Sequence, residues 1–292
     1  MKRVFLSLGL VWLTILGAHS AYALDGKVGA LFASDALQPS EATIQLIERM
    51  FRGQMAPVPM AHQQSLDRTL ISRDWPGLEK AIAILQEDEG PSTVLDWLAT
   101  RHVAGYLAAS SRYALYSFDV AEAYKKASLK ETGVMLWFYL FAAIQTDGHK
   151  CADRSAPGAF LDRVRARTEH IRNYAASLPV DRLRQSKDLA LFLEEAIAPN
   201  RATDPVLCAM GMASIQSALN AEVNRILQDG VAASEIEGRE PREGEIGRQI
   251  QVPADANFRP GIKPTTAWQD AASEARAALP DKLERIIVEL KK

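Results

Sequence analysis

Residues with ready-made chemistry are scarce in this 292-residue chain. It has two cysteines and five histidines, and it lacks the G-x-S-x-G, S-x-x-K and H-E-x-x-H motifs of serine and zinc hydrolases. A C-x-x-C redox motif and a glycine-rich phosphate loop are absent as well. The net charge of −2 gives no general attraction to nucleic acid. These absences weigh against an enzyme with a familiar motif and against a nucleic-acid partner.

Long hydrophobic runs are also missing. The apolar runs Val4–Gly17 and Val134–Ile144 are both shorter than the roughly 20 residues that a transmembrane helix needs. The second run is apolar on every side, which is typical of a helix buried at the centre of a domain. The sequence therefore predicts a buried central helix over residues 134–144.

The amino-terminal residues follow the pattern of a secretory signal peptide. Lys2 and Arg3 precede the first apolar run, and Ala21-Tyr22-Ala23 closes it. A basic head, an apolar segment and a small-x-small end are the three parts of such a signal. We therefore expect a Sec-type signal in residues 1–23, cleaved after Ala23. The mature protein is then periplasmic or secreted, with no stable membrane span.

The expected chemistry of the two cysteines depends on that location. Cys151 follows the central apolar run, and Cys208 lies in the first turns of a later helix. An even pair of cysteines in an oxidising compartment most often forms a disulfide. By the chain-entropy estimate, closing a loop of this length stabilises the fold by about 4 kcal/mol. The alternative is a reactive or metal-bound thiol.

Helical periodicity dominates the remainder of the chain. Apolar residues recur every three or four positions in most segments before residue 230. The sequence therefore predicts an all-α fold, a helical bundle of about seven to nine helices around residues 134–144. This α-helical domain is expected to cover residues 24–234.

The last 58 residues have a different character, by count from the sequence. Residues 235–265 are rich in proline, glycine and charge, which predicts an extended loop or linker with a short hairpin around residues 247–252. Residues 266–292 predict a C-terminal amphipathic helix, interrupted at Pro280. This helix either docks on its own domain or binds a partner protein.

The loop after the central helix is the part of the chain with the most candidate ligands. Asp147, His149, Cys151 and Asp153 alternate, so an extended strand would point several of them the same way. Imidazole, thiolate and carboxylate suit zinc or another transition metal. A disulfide at Cys151 would remove the thiolate and leave Asp147, His149 and Asp153 as metal candidates. No cofactor is predicted.

Two adjacent glutamates are the catalytic candidates. Glu194 and Glu195 point about 100° apart on a helix, so they do not converge by themselves, and a solvated helix face is the favoured interpretation. In a cell-envelope hydrolase, one of them would be the general acid or base, with His149 nearby.

An aromatic stripe suggests a further alternative. Tyr106, Tyr113, Tyr116 and Tyr124 recur at helical spacing, which favours core and interface packing. A small-ligand carrier would instead show an enclosed apolar cavity lined by Tyr106, Tyr113 and Trp137.

The sequence thus favours an exported interaction protein: a scaffold, an assembly factor or a binding module. The expected partner is another envelope protein, bound through the C-terminal helix if that helix does not dock on its own chain. The envelope hydrolase and the ligand carrier are the alternatives. The basic segment 154–187 is interpreted as a solvated helical face.

Overall fold

A computed structural model describes most of the chain. The described residues are 47–50, 55, 57–201, 205–209, 211–228, 238–239, 249–250 and 261–292. The predicted signal peptide 1–23 and most of the predicted linker 235–265 lie outside them.

The described residues are mainly helical, which confirms the predicted all-α class. Residues 47–50 are helical, and twelve α-helices with defined bounds follow. They are α1 Met60–Ser72, α2 Trp75–Glu89, α3 Pro91–Val103, α4 Leu107–Tyr124, α5 Ala127–Asp147, α6 Ala156–Arg167, α7 Glu169–Ser177, α8 Val180–Ile197, α9 Pro205–Cys208, α10 Met212–Gln228, α11 Gln269–Ala277 and α12 Leu279–Leu290. Three 3₁₀ turns, Gly148–Lys150, Ala198–Asn200 and Thr265–Ala267, and a two-residue antiparallel pair, β1 Gly238–Arg239 with β2 Gln249–Ile250, complete this set.

The helices outnumber the seven to nine predicted because several apolar stripes continue across a break in the backbone. The apolar stripe over residues 159–177 is divided between α6 and α7 at Thr168, where ψ is 19°. The C-terminal segment is divided at Ala278, so Pro280 lies in the first turn of α12 rather than at the break. Proline is tolerated there because first-turn N–H groups have no partner within the helix.

Local sequence explains the boundary between α2 and α3. The Asp74 side chain accepts a hydrogen bond from the Gly77 N–H, 3.0 Å away, and so caps the start of α2. Gly90 ends that helix with a φ of 86°, a conformation that costs glycine little. Pro91 then begins α3 at a position where a missing N–H has no consequence. Glycine after a helix and proline at the start of the next one are the residue types favoured at such a boundary.

The chain divides into two compact units. Unit 1 comprises Met1–Ala142, Thr168–Ala202 and Leu279–Lys292, and unit 2 comprises Ala143–Arg167 and Thr203–Ala278. The predicted domain 24–234 therefore contributes residues to both units, and so does the C-terminal segment 266–292. In unit 1, α1 to α4 pack on one another in sequence, and α12 packs on α7 and α8.

The central helix α5 is buried as predicted. Every residue from Val134 to Ile144 is at most 5% exposed, and each large apolar side chain buried in this way stabilises the fold by about 1.5–3 kcal/mol. None of the helices in the described part of the chain is long and apolar enough to cross a membrane.

The apolar face of α12 lies against its own unit. Leu279, Leu283 and Ile287 are each 1% exposed. Glu284 on the same helix accepts hydrogen bonds from Arg184 Nε at 2.9 Å and Lys187 Nζ at 2.8 Å on α8. The structure thus favours docking in cis, and this apolar face is not open to a partner.

Unit 2 is organised around the loop that contains Cys151. Cys151 forms an isolated antiparallel bridge with Ile262, and the Lys263 N–H donates to the Lys150 carbonyl at 2.8 Å. The 3₁₀ turn Gly148–Lys150 also contacts α9 and α11.

Candidate functional site

The disulfide predicted from sequence is present. Cys151 and Cys208 are both fully buried, with their sulfurs 2.01 Å apart. Because Cys151 is used in this way, no thiolate is available for a metal at this loop.

The carboxylates of the same loop are engaged in structural contacts. Asp147 lies 3.0 Å from Lys150 Nζ, both side chains being about 95% buried, and this ammonium lies 5.1 Å from the Trp268 ring centre. His149 accepts a hydrogen bond from Lys263 Nζ through its backbone carbonyl. No group of three His, Cys, Asp or Glu residues within the described ranges could hold a metal ion.

Asp153 has the role of a helix cap. One carboxylate oxygen accepts hydrogen bonds from the N–H and hydroxyl of Ser155, and the other accepts the Ala213 N–H at the start of α10, 2.8 Å away. The Ser155 hydroxyl accepts the Met212 N–H at 2.7 Å. The hydroxyl and backbone hydrogen bonds lower the pKa of Asp153, since they stabilise its charged form. The three metal candidates thus participate in the structure of unit 2.

The structure places the two candidate glutamates in different environments. Glu194 is 1% exposed, and its Oε1 lies 2.5 Å from the guanidinium of Arg201, whose side chain is also 1% exposed. The expectation of a solvated face is therefore wrong for Glu194, because the 3₁₀ turn after α8 brings Arg201 back over the helix. Glu195 is exposed, as expected. Both glutamates belong to unit 1, whereas His149 belongs to unit 2.

The aromatic stripe is divided between the core and the surface. Tyr113 and Tyr116 are buried, whereas Tyr106 is 40% and Tyr124 54% exposed. Trp137, the third residue proposed for a carrier cavity, lies in the core at 2% exposure. Of the three residues proposed to line a carrier cavity, Tyr113 and Trp137 thus lie in the core and Tyr106 lies at the surface.

A buried polar cluster that sequence reasoning missed lies in unit 1. His102 is fully buried, and its Nδ1 lies 2.8 Å from the Ser110 hydroxyl, which donates to the Tyr106 carbonyl. Its ring meets the Tyr139 ring edge-on, with centres 4.5 Å apart. This serine–histidine pair resembles a nucleophile with its base, but both residues are 0% exposed, so no substrate reaches the hydroxyl.

The burial of His102 predicts a loss of stability in acid. Burial and then the charge of Arg201 lower the pKa of His102 from 6.5 to about 3. The unfolded chain therefore binds a proton below pH 6.5 that the folded chain takes up only near pH 3. The free energy of unfolding should fall by up to about 1.4 kcal/mol per pH unit across this window because of this residue.

Urea unfolding at several pH values between 7 and 4 measures this dependence. In the variant His102→Gln, the free energy of unfolding should fall less steeply as the pH is lowered, because the buried imidazole is absent. The variant His170→Gln, changed at an exposed position, should retain the contribution of His102 to this slope. If the free energy of unfolding of the wild type and of His102→Gln changed with pH by the same amount, the slope could not be attributed to His102.

An apolar groove opens on the surface of unit 1. It has a volume of about 450 Å³, and its apolar walls are Met50, Met55, Pro57, Val58, Trp97 and Val103. This volume and this mainly apolar lining are typical of ligand sites in proteins. Met55 is partly exposed in the groove, and its flexible, polarisable side chain allows the groove to fit apolar groups of different shapes.

The polar rim of the apolar groove is held in place by internal hydrogen bonds. Arg101 Nε donates to Asp67 Oδ1 at 2.6 Å, and the Trp97 indole donates to the same oxygen at 3.3 Å. Asn200 Nδ2 donates to the Val103 carbonyl at 3.2 Å. A rim fixed in this way loses little conformational freedom when a ligand binds.

A second depression of unit 1, the polar cleft, has a volume of about 680 Å³. Its lining includes Phe118, Asp119, Glu122, Lys130, His170 and Tyr174. The rings of His170 and Tyr174 meet the Phe118 ring edge-on, with centres 5.1 Å and 5.5 Å away. Carboxylates, an ammonium group and aromatic rings thus converge on one open surface.

No protein-family model, curated protein or solved structure matches this chain. The chemistry of these sites is therefore what indicates the function of this protein.

Proposed function

We propose that this protein is an exported helical binding protein that holds an apolar segment of another envelope protein in the apolar groove. The groove carries the proposal: about 450 Å³ of open volume with two methionines and a tryptophan in its walls. Because it opens to solvent, an apolar side chain can enter it while the remainder of the partner continues along the surface.

Two observations support export. Residues 1–23 have the three parts of a secretory signal. A fully buried disulfide joins the loop after α5 to α9, and such bonds persist in oxidising compartments.

The alternatives draw no support from their candidate residues. Glu194 is shielded from solvent and faces Arg201, so it has no route to a substrate. Tyr113 and Trp137 are packed in the core rather than around a ligand cavity. A binding protein needs neither an acid nor an enclosed cavity.

The test places a charge in the groove. Val58→Glu introduces a carboxylate into the apolar wall, and Met60→Glu introduces the same charge two residues away, at a residue that is 75% exposed and does not line the groove. A photocrosslinker at position 55 should trap a partner, and mass spectrometry of the adduct should identify an apolar segment.

With that segment as a synthetic peptide, Val58→Glu should weaken binding by about 30-fold or more, as for the loss of a central contact. Met60→Glu should bind as the wild type does. Circular dichroism and thermal unfolding check that both variants fold. Equal binding by both folded variants would overturn the proposal.

A further inference from the structure

The polar cleft already holds an ammonium group, that of Lys130. Its Nζ lies 2.5 Å from Glu122 Oε1, 5.0 Å from the ring centre of Phe118 and 5.2 Å from that of Tyr174. A carboxylate and two aromatic faces at these distances attract an ammonium group by charge and by cation–π interaction. We refer to Phe118, Glu122 and Tyr174 as the ammonium cage.

The contact between Lys130 and the cage can be exchanged. The Lys130 side chain is 25% exposed and that of Glu122 is 60% exposed. An ion pair this accessible contributes little, because water competes for both charges and two long side chains must be held in one geometry. A second ammonium group can therefore displace Lys130 at a small cost.

The charges of the cleft favour a cationic ligand. Asp119 lies one turn before Glu122 on α4 and also lines the cleft, so the carboxylates outnumber the Lys130 ammonium group two to one. The hydrogen bond and charge of Lys130 lower the pKa of Glu122, so this carboxylate is ionised at neutral pH and remains an acceptor for cations.

We propose that the ammonium cage is a binding site for an external primary ammonium group, which replaces Lys130 Nζ between Phe118 and Tyr174. The ammonium group belongs either to a free amine or to a lysine side chain of a partner protein. In the unliganded protein, Lys130 occupies the site and weakens binding by competition. This site shares no residue with the apolar groove, so each of the two proposals can be tested and refuted independently of the other.

The test removes the internal competitor. Lys130→Met keeps the aliphatic part of the side chain and lacks the ammonium group, and Lys130→Gln is a second variant with the same loss of charge. Lys80→Met is the matched control, because Lys80 is an exposed lysine outside the cleft. NMR titration of each full-length protein with Nα-acetyl-lysine methylamide measures the affinity and checks that the fold is intact.

Wild type and Lys80→Met should bind this probe weakly, and both Lys130 variants should bind it about three- to fivefold more tightly, about 0.7–1 kcal/mol, the upper part of the range for an accessible ion pair. Adding Glu122→Gln to Lys130→Met should remove the gain, and an Nε-acetylated probe should not bind. Unchanged affinity in the two Lys130 variants, or equal binding of the acetylated probe, would overturn the proposal.

A second titration distinguishes the sources of the ligand, with cadaverine as the free amine and an extended lysine-containing peptide as the partner segment. Tighter binding of the peptide supports a protein partner, and tighter binding of cadaverine supports a free amine. Binding of neither would overturn the proposal.

Discussion

Replacing Arg201 with methionine is expected to lower the free energy of unfolding by about 3–5 kcal/mol. The substitution removes the guanidinium that faces the Glu194 carboxylate, while both side chains are 1% exposed. Breaking a buried ion pair from one side is this costly because a charge stays in a low-dielectric environment without its counterion. The loop after α8 should also loosen, because Arg201 Nη1 donates to the Glu194 carbonyl.

A double-mutant cycle separates this effect from a loss of packing. The double variant Glu194→Met, Arg201→Met leaves no buried charge, so it should be more stable than Arg201→Met alone. Glu195→Gln, at the exposed neighbouring position, should change stability by less than about 0.5 kcal/mol. Urea unfolding at pH 7 measures the wild type, the single variants Arg201→Met and Glu194→Met, the double variant and the control Glu195→Gln. Additive effects in the cycle would show that the two side chains do not interact.

Replacing both cysteines with serine is the second substitution with a large expected effect. Cys151 and Cys208 are separated by 57 positions, and the chain-entropy estimate assigns about 4 kcal/mol to closing a loop of this length. The bond also holds the loop that caps α10 through Asp153. Its loss should therefore destabilise unit 2 in particular.

Hydrogen exchange read by mass spectrometry locates this effect. In the double cysteine variant, amide protection should fall first in residues 148–156 and 205–228, while α2 and α3 of unit 1 stay protected. Mass analysis of the wild type, produced in an oxidising compartment, should show a gain of two hydrogen atoms on reduction. Two free thiols in that protein, or unchanged protection in the variant, would contradict the expectation.

Part of the fold could be predicted because it depends on short stretches of sequence. The run from Val134 to Ile144 has no polar face, so only a fully buried helix suits it. Asp74, Gly90 and Pro91 mark helix ends through contacts within a few residues. The disulfide could be predicted because the chain has two cysteines and one possible pair.

The candidate sites could not be predicted in the same way. Glu194 lies on the face of α8 that also buries Ala190 and Ile197, but nothing in the adjacent pair shows that Arg201 returns over that face as its counterion. The groove residues Met55 and Val58 precede α1, whereas Trp97 lies on α3. No sequence motif connects these three positions. A signal for the ammonium cage is equally absent, because its residues come from α4 and α7 and its occupant from α5.

The sequence by itself determined the helical class, the buried central helix and the cysteine pair, since local periodicity and residue counts specify them. Only the tertiary structure decided the position of α12, where Lys187 and Glu284 meet although 97 positions separate them. It also decided which carboxylates are buried, which cap a helix and which face a cleft. The physical reason is that burial and charge pairing depend on distances between segments that are far apart in sequence. The residue pattern of one segment does not specify which side chains of a distant segment will contact it.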